Sequence, residues 1–375
     1  RFRQMYHSLQ QPASENDGRL QAMINRESMT NEEMYCCPRT FEAGFQFLNQ
    51  NRTSDNWLLH LECFDPHEPF SAPDRFKKEY PTGYNGPILD WPRYKRNEED
   101  ELLVKELRAN YAALLSMCDE YFGRLLDYMD RYAMWDDTAV ILTTDHGFLL
   151  AEHEWWGKNR MPFFNELAHI PLIVYHPGNK QQAGKRRTSL TQTIDVMPTL
   201  LDLFAVRHPK FVEGKSLLPL LKEDAKIRDA AIYGMFGAGT NITDGRYTYF
   251  RYPEDMTKQD LFEYTLMPMR QKTLFPKEVL AEATLVKDFK FTDGVPLLKL
   301  PAQRNFKGQP VGHKGQGGGY EDTTTVLYDL HTDPDQQKPF RDEEIEARLL
   351  KLLTNLMQEN EAPEEAFVRL GLRAS

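Results

Sequence analysis

Thr138–Gly147 reads TAVILTTDHG, a short unbroken apolar run rich in β-branched residues that stops at Asp145-His146-Gly147. Such a run is too short for an ordinary helix and fits a strand buried on both faces. Upstream, from about Glu101 to Met134, Leu103, Leu107, Tyr111, Leu114, Leu115, Cys118, Phe122, Leu125 and Met129 recur at three- and four-residue steps. That spacing predicts a long amphipathic helix covering a sheet face. Downstream, Pro171–Tyr175 repeats the strand pattern and ends at His176-Pro177-Gly178, and Thr193–Phe204 predicts a short helix around Pro198. Asn56–Phe64 (NWLLHLECF), closed by Asp65-Pro66, reads as a further buried strand. Helices alternating with continuous apolar strands imply an α/β fold, a mainly parallel sheet between helices. Residues 66–100 are rich in Pro, Gly, Asn and Asp and read as loop, and the first forty residues are polar with little pattern.

After Leu221 the pattern changes. Ile232–Met235, Ile242–Thr243, Tyr247–Arg251 and Val326–Leu330 are short strands, with Asp244-Gly245 in a hairpin-turn context. A helix at about Glu343–Asn360 follows. The expected division is therefore a catalytic α/β domain over 1–225 and a smaller antiparallel α+β subdomain over 226–375. The latter carries an insertion at about 253–322 that ends in the glycine-rich Gly312–Gly319. No strand–helix frame surrounds those glycines, so a phosphate loop is not expected there.

Composition excludes several classes. Lys and Arg number 46 against 56 Asp and Glu, a net charge of −10, which lacks the broad positive field that nucleic-acid binding requires. No stretch approaches the roughly 18 unbroken apolar residues of a membrane span. The four cysteines, Cys36, Cys37, Cys63 and Cys118, match neither a disulfide framework nor a zinc spacing, which favours a reducing, cytoplasmic compartment. The sequence opens at Arg1 without Met, so a signal peptide is not readable.

Three stretches could carry chemistry. Thr144-Asp145-His146-Gly147 directly follows a strand, and functional groups of open α/β sheets gather beyond the carboxyl ends of strands. An Asp and a His on consecutive loop positions make a metal corner or, equally, a structural turn. Glu152-His153-Glu154-Trp155-Trp156-Gly157-Lys158 follows at once, and a lysine beside two tryptophans suits a partly desolvated anion clamp. An isolated lysine of this kind is more often a surface residue with a packed stem. Phe64-Asp65-Pro66-His67-Glu68-Pro69-Phe70 places an imidazole between two prolines, where it could protonate a leaving group or simply be bonded into the structure.

Taken in order, these stretches resemble the sulfatase family of the alkaline-phosphatase superfamily. Pro66-His67-Glu68-Pro69-Phe70 resembles its PHxPF segment, Thr144-Asp145-His146-Gly147 its TSDHG corner, and Trp156-Gly157-Lys158 through Glu166 and Pro171 its WGK…E…P segment. Asp195-Val196-Met197-Pro198-Thr199-Leu200-Leu201 is similar to DxxPTLL, Glu213-Gly214-Lys215-Ser216-Leu217 to DGxSL, and Leu327-Tyr328-Asp329-Leu330…Asp333-Pro334 to LYDLxxDP. The resemblance implies an alkaline-phosphatase-like fold and a sulfuric ester hydrolase. Asp145 and His146 would be metal ligands, and His67 and Lys158 would contact the sulfate oxygens, one of them assisting departure of the alkoxide. His153, Trp155 and Trp156 would be substrate contacts for an aryl or sugar group.

Two departures qualify this. The family's nucleophile is a formylglycine made from the Cys or Ser of Cys/Ser-x-Pro-x-Arg, and an upstream Asp-Asp pair completes the metal site. Cys36-Cys37-Pro38-Arg39 is one residue short of that motif. Ser71-Ala72-Pro73-Asp74-Arg75 fits it formally but lies just after His67. The expected reading is therefore a sulfatase fragment that lacks the formylglycine segment and is catalytically incomplete by itself. In addition, His146 suits manganese or zinc at least as well as calcium. That leaves open a phosphonate monoester or phosphodiester hydrolase with the same site, and a non-catalytic anion-binding remnant is the third reading. The expected partner is a small-molecule sulfate ester, with neither nucleic acid nor membrane; homo-oligomerisation is open.

Overall fold

A computed structural model describes residues 2–12, 18–269, 273–302 and 320–372. The Gly312–Gly319 reading lies outside the described residues. The chain forms two compact units, one of residues 1–140 with 148–157 and the other of 141–147 with 158–375.

In the first unit, α1 (Cys36–Asn51) and α2 (Glu101–Arg131) pack together. Asp100 starts α2 by accepting the Leu103 amide at 3.0 Å, a side-chain N-cap. Leu107, Ala113, Leu114, Met117 and Tyr121 of α2 are buried, while Leu115 is 46% exposed, so the inward stripe is narrower than the apolar pattern. α1 was hidden among polar residues, yet buries Cys37, Phe41 and Leu48 at helical spacing. Cys37 and Phe41 form one core with Phe70, Ala72, Phe76 and with Ala113, Leu114, Met117 and Tyr121 of α2. Three short antiparallel strands complete the unit: Trp155–Gly157 lies between Lys95–Arg96 and Leu149–Leu150.

Asn56–Phe64 is not the buried strand expected. Its side chains alternate, with Trp57, Leu59, Leu61 and Cys63 half-buried and Leu58 and Phe64 exposed. It forms no ladder among the described residues. One face lies on α1, where Leu61 comes so close to Gly44 that a Cβ there would meet its methyl at 2.7 Å. With one face on a helix and no paired strand, the segment is extended but not part of a sheet.

In the second unit, Val140–Thr143, which starts at the unit boundary, pairs with Leu172–Tyr175. Thr143 also donates its hydroxyl to the Pro171 carbonyl at 2.9 Å. Beyond them α3 (Val196–Leu203) follows a single 3₁₀ turn at Thr193–Asp195. The antiparallel part carries the four strands expected and a further sheet within the insertion. Ala231–Gly234, Thr240–Thr243, Tyr247–Arg251 and Val326–Asp329 form a four-stranded antiparallel sheet. Its Asp244-Gly245 turn is held by Asp244 accepting the Arg246 and Tyr247 amides at 3.0 and 2.7 Å. Ile242, Tyr249 and Leu327 of this sheet pack against α4 (Glu343–Glu359) and α5 (Glu364–Arg369) through Leu349, Leu353, Met357 and Phe367. Within the expected insertion, Phe262–Thr265, Leu297–Pro301 and Thr284–Val286 form a second antiparallel sheet.

Candidate active site

The metal corner is built by backbone geometry. Gly147 follows the strand end and donates its amide to the Leu167 carbonyl at 3.0 Å. A Cβ at this glycine would lie 1.7 Å from the Glu166 carbonyl oxygen, so only glycine permits that approach. Asp145 Oδ1 accepts the His146 amide at 2.9 Å, which turns Oδ2 outward. The His146 Nδ1 lies 2.9 Å from the Gly147 carbonyl. A carbonyl only accepts, so Nδ1 carries the ring proton of the neutral ring and Nε2 presents its lone pair. That Nε2 stands 3.5 Å from Asp145 Oδ2. The two donors are adjacent, and their chemistry fits a divalent ion.

Burial pushes the Asp145 carboxyl up, but His146, the backbone amides of His146 and of Asp145 itself, and Lys158 outweigh it and hold the group below the usual carboxylate range. Asp145, His146 and Lys158 are thus brought together in the second unit. Lys158 is 6% exposed, which excludes the surface reading. Asp145 is 82% exposed, and no group of three or more His, Cys, Asp or Glu side chains among the described residues is arranged to hold a metal. The corner would therefore supply two ligands where a hard divalent ion takes six or more.

In the first unit, His67 Nδ1 lies 2.8 Å from the Glu68 carbonyl and 3.3 Å from Glu68 Oε2, and the ring packs beside Phe64 with centroids 4.6 Å apart. The same acceptor argument puts the proton on Nδ1 and leaves Nε2 for a ligand. Glu68 is buried and accepts the Tyr94 hydroxyl. Asp65, two positions before His67, accepts the Cys37 amide at 2.8 Å. Burial raises its carboxyl to about 6, with the Cys37 amide pulling partly back. Sequence reasoning missed Asp65, Glu68 and Tyr94, and the only signal was that Glu68 occupies the unspecified position of the PHxPF pattern.

Trp155 and Trp156 are fully buried. Arg96 stacks on Trp155 at 4.8 Å, and the Trp156 indole donates to Asn97 and Glu99 at 3.0 Å. Both rings are packed into the scaffold. The aromatic type alone does not distinguish an inward from an outward ring. His153 has a left-handed backbone (φ 50°), and its carbonyl accepts from Arg96 at 3.4 Å. In the formal Ser71–Arg75 motif, Arg75 is held by Glu32 and Glu120 at 2.6 Å each, so its guanidinium is engaged away from any serine chemistry.

Other motif residues prove structural. Asp195 is fully buried and takes Arg228 through two contacts of 2.6 Å, together with the Gln192 and Lys215 amides at 2.7 and 2.8 Å. Thr199 Oγ1 donates to the Asp195 carbonyl at 2.6 Å and accepts the Leu217 amide at 2.8 Å. Asp195–Leu201 and Glu213–Leu217 are therefore two halves of one buried polar knot.

The family model described as Sulfatase matches residues 13–206, and that described as N-sulphoglucosamine sulphohydrolase, C-terminal matches 151–290. The chain is 37% identical over 202 residues to the multifunctional alkaline phosphatase superfamily protein PehA of Trinickia caryophylli, covering 46% of this chain and 39% of that protein. It is 29% identical over 220 residues to an arylsulfatase of Clostridium perfringens, covering 53% and 44%. The chain thus spans less than half the length of these relatives. A phosphonate monoester hydrolase of Agrobacterium radiobacter superposes with a TM-score of 0.58 at 18% identity, covering 88% of this chain and 61% of that one. That likeness shows the fold, α/β of alkaline-phosphatase type with a smaller antiparallel C-terminal part. The Sulfatase model spans more than half of the chain and takes in His67, Asp145, His146 and Lys158, and the chain belongs to the sulfatase family.

Proposed function

We propose that the protein hydrolyses a sulfate monoester of a small aryl or sugar alcohol, with Asp145 and His146 as metal ligands and His67 and Lys158 acting on the ester. The observation that carries the reading is the corner at Asp145: two donors 3.5 Å apart, each oriented by backbone, with the buried Lys158 in electrostatic reach. Family membership supplies the reaction class. The arylsulfatase relative supports an aryl ester, and the sulphohydrolase model supports a sugar.

Lys158 offers a fixed positive charge in a largely water-excluded place, where it stabilises charge on transferring oxygens far better than it would in water. His67, with Nδ1–H pinned to the Glu68 carbonyl, presents Nε2 to hold or deliver a proton at the leaving oxygen. A divalent ion bound at Asp145 and His146, calcium or, given the imidazole, manganese or zinc, would polarise the ester oxygens. The nucleophile in this proposal is a formylglycine that neither the Cys36 nor the Ser71 stretch supplies. A division near residue 225 is part of the same proposal, supported by the start of the four-stranded antiparallel sheet at Ala231.

The second reading, a phosphonate monoester or phosphodiester hydrolase, rests on the imidazole at the metal corner. The test compares turnover of an aryl sulfate and of phenyl phosphonate by full-length protein that carries the nucleophile, loaded in turn with calcium, manganese and zinc. The sulfate is expected to be the better substrate. Higher kcat/KM for the phosphonate with every metal would replace the first reading by the second.

A further inference from the structure

Glu68 is a carboxylate whose side chain is only 3% exposed, a costly placement unless it is partnered. Its partners lie in a line within one unit. Tyr94 donates its hydroxyl to Oε1, and His67 Nδ1 stands 3.3 Å from Oε2. Burial, reinforced by Glu68, pushes the Tyr94 phenol strongly up, so it remains a hydroxyl and a donor at neutral pH. The Tyr94 ring is itself fixed, edge-on to Phe148 with centroids 5.7 Å apart. The ring also lies against Gly157, at φ +100°, where a Cβ would be 2.5 Å from it. The line ends at His67, whose side chain is 32% exposed and whose Nε2 is left for a ligand.

The backbone carbonyl of Glu68 already settles which ring nitrogen carries the proton, so the side chain must do something else. Oε2 beside Nδ1 and Oε1 on Tyr94 set the side chain against one edge of the ring. We propose that Glu68, held by Tyr94, is a positioning residue that fixes the His67 ring so that Nε2 delivers a proton to the leaving oxygen. This rests on the reading above in which His67 assists departure. In that step an incoming oxygen nucleophile bonds to sulfur as the bond between sulfur and the ester oxygen breaks, and the electron pair of the broken bond passes to the leaving oxygen. The Nε2 proton moves to that oxygen, leaving a neutral imidazole whose Nδ1–H is still donated to the Glu68 carbonyl.

The experiment is a leaving-group series of sulfate esters, from activated aryl to alkyl, measured on protein that turns over aryl sulfates. The proteins compared are wild type, His67→Ala, Glu68→Gln, Tyr94→Phe and the His67→Ala/Glu68→Gln double variant. Glu68→Gln should lower kcat on the order of ten-fold for poor leaving groups and hardly at all for activated ones, a part of the general-acid contribution. It should add nothing once His67 is alanine. Tyr94→Phe, which keeps the half-buried ring, should act in the same direction more weakly, and it carries the test if Glu68→Gln does not fold. Uniform loss across leaving groups for Glu68→Gln or Tyr94→Phe, or a loss that persists without His67, overturns the role of Glu68 while a selective His67→Ala defect leaves the parent reading standing. A uniform His67→Ala defect overturns both.

Discussion

Asp65 accepts the backbone amide of Cys37 at 2.8 Å, a contact across 28 positions that ties the start of α1 to the loop carrying His67. Tyr35, the residue that precedes the helix, makes no side-chain cap bond, so the carboxylate from the distant loop satisfies an amide in the first turn.

The contact comes with a pH dependence. The Asp65 carboxyl sits at about 6 in the folded protein against an ordinary 3.8, because burial disfavours its charge. Between those values the folded state holds a proton that the unfolded chain has lost, so stability falls as pH rises from about 4 to about 6 and is level above. The shift corresponds to at most about 3 kcal/mol. Asp65→Asn keeps an acceptor for Cys37 and removes the titration. Urea unfolding at pH 4.5, 5.5, 6.5 and 7.5 should show the variant gaining on wild type as pH rises, and a constant difference would contradict the account.

Much of the scaffold was legible because its pattern is periodic. The step of three and four from Leu103 to Met129 and the run TAVILTT before Asp145 both produced the elements expected, within a few residues, although Val140–Thr143 is half-buried to exposed and not buried on both faces. α1 was missed because Pro38 and Gly44 break its pattern, although Cys37, Phe41 and Leu48 keep the spacing. Asn56–Phe64 was read as a buried strand because its composition is that of one, but whether a neighbour pairs with it is not a local property. The tryptophans at 155 and 156 marked an aromatic environment without direction. Glu68 and Tyr94 are separated by 26 positions and meet only through the fold.

Gly147→Ala should damage the corner without touching a ligand. The added methyl would lie 1.7 Å from a backbone oxygen, and no rotamer relieves it. Overpacking of this kind costs roughly 1–3 kcal/mol, and more where backbone must move. The expected result is a lower thermal midpoint together with weaker binding of manganese, followed by its paramagnetic signal. Wild-type metal affinity in the variant would show that Asp145 and His146 are not positioned through this turn.

Removing one partner of the Asp195–Arg228 pair should destabilise strongly. Asp195 is fully buried and Arg228 nearly so, and a buried charge left without its counter-ion typically costs about 3–5 kcal/mol. Arg228→Ala and Asp195→Ala should each show this in denaturant unfolding, and the double variant should lose much less than the sum. Additive losses would mean that the two side chains act independently, despite contacts of 2.6 Å.

Substitution of Lys158 should separate binding from catalysis. Its side chain is buried and carries a cation within reach of Asp145, so its charge is poorly screened by water. If that charge stabilises the transferring sulfuryl group only as the bond breaks, Lys158→Ala lowers kcat and kcat/KM together, typically by about 10²–10³-fold for one such contact. Lys158→Arg keeps the charge but spreads it over a planar fork that the buried position was not shaped for, so only partial recovery is expected. Steady-state kinetics on one aryl sulfate, with wild type and both variants at saturating metal, decide the matter. A change in KM alone, with kcat intact, would make Lys158 a ground-state sulfate ligand and would pass the transition-state charge to the metal corner.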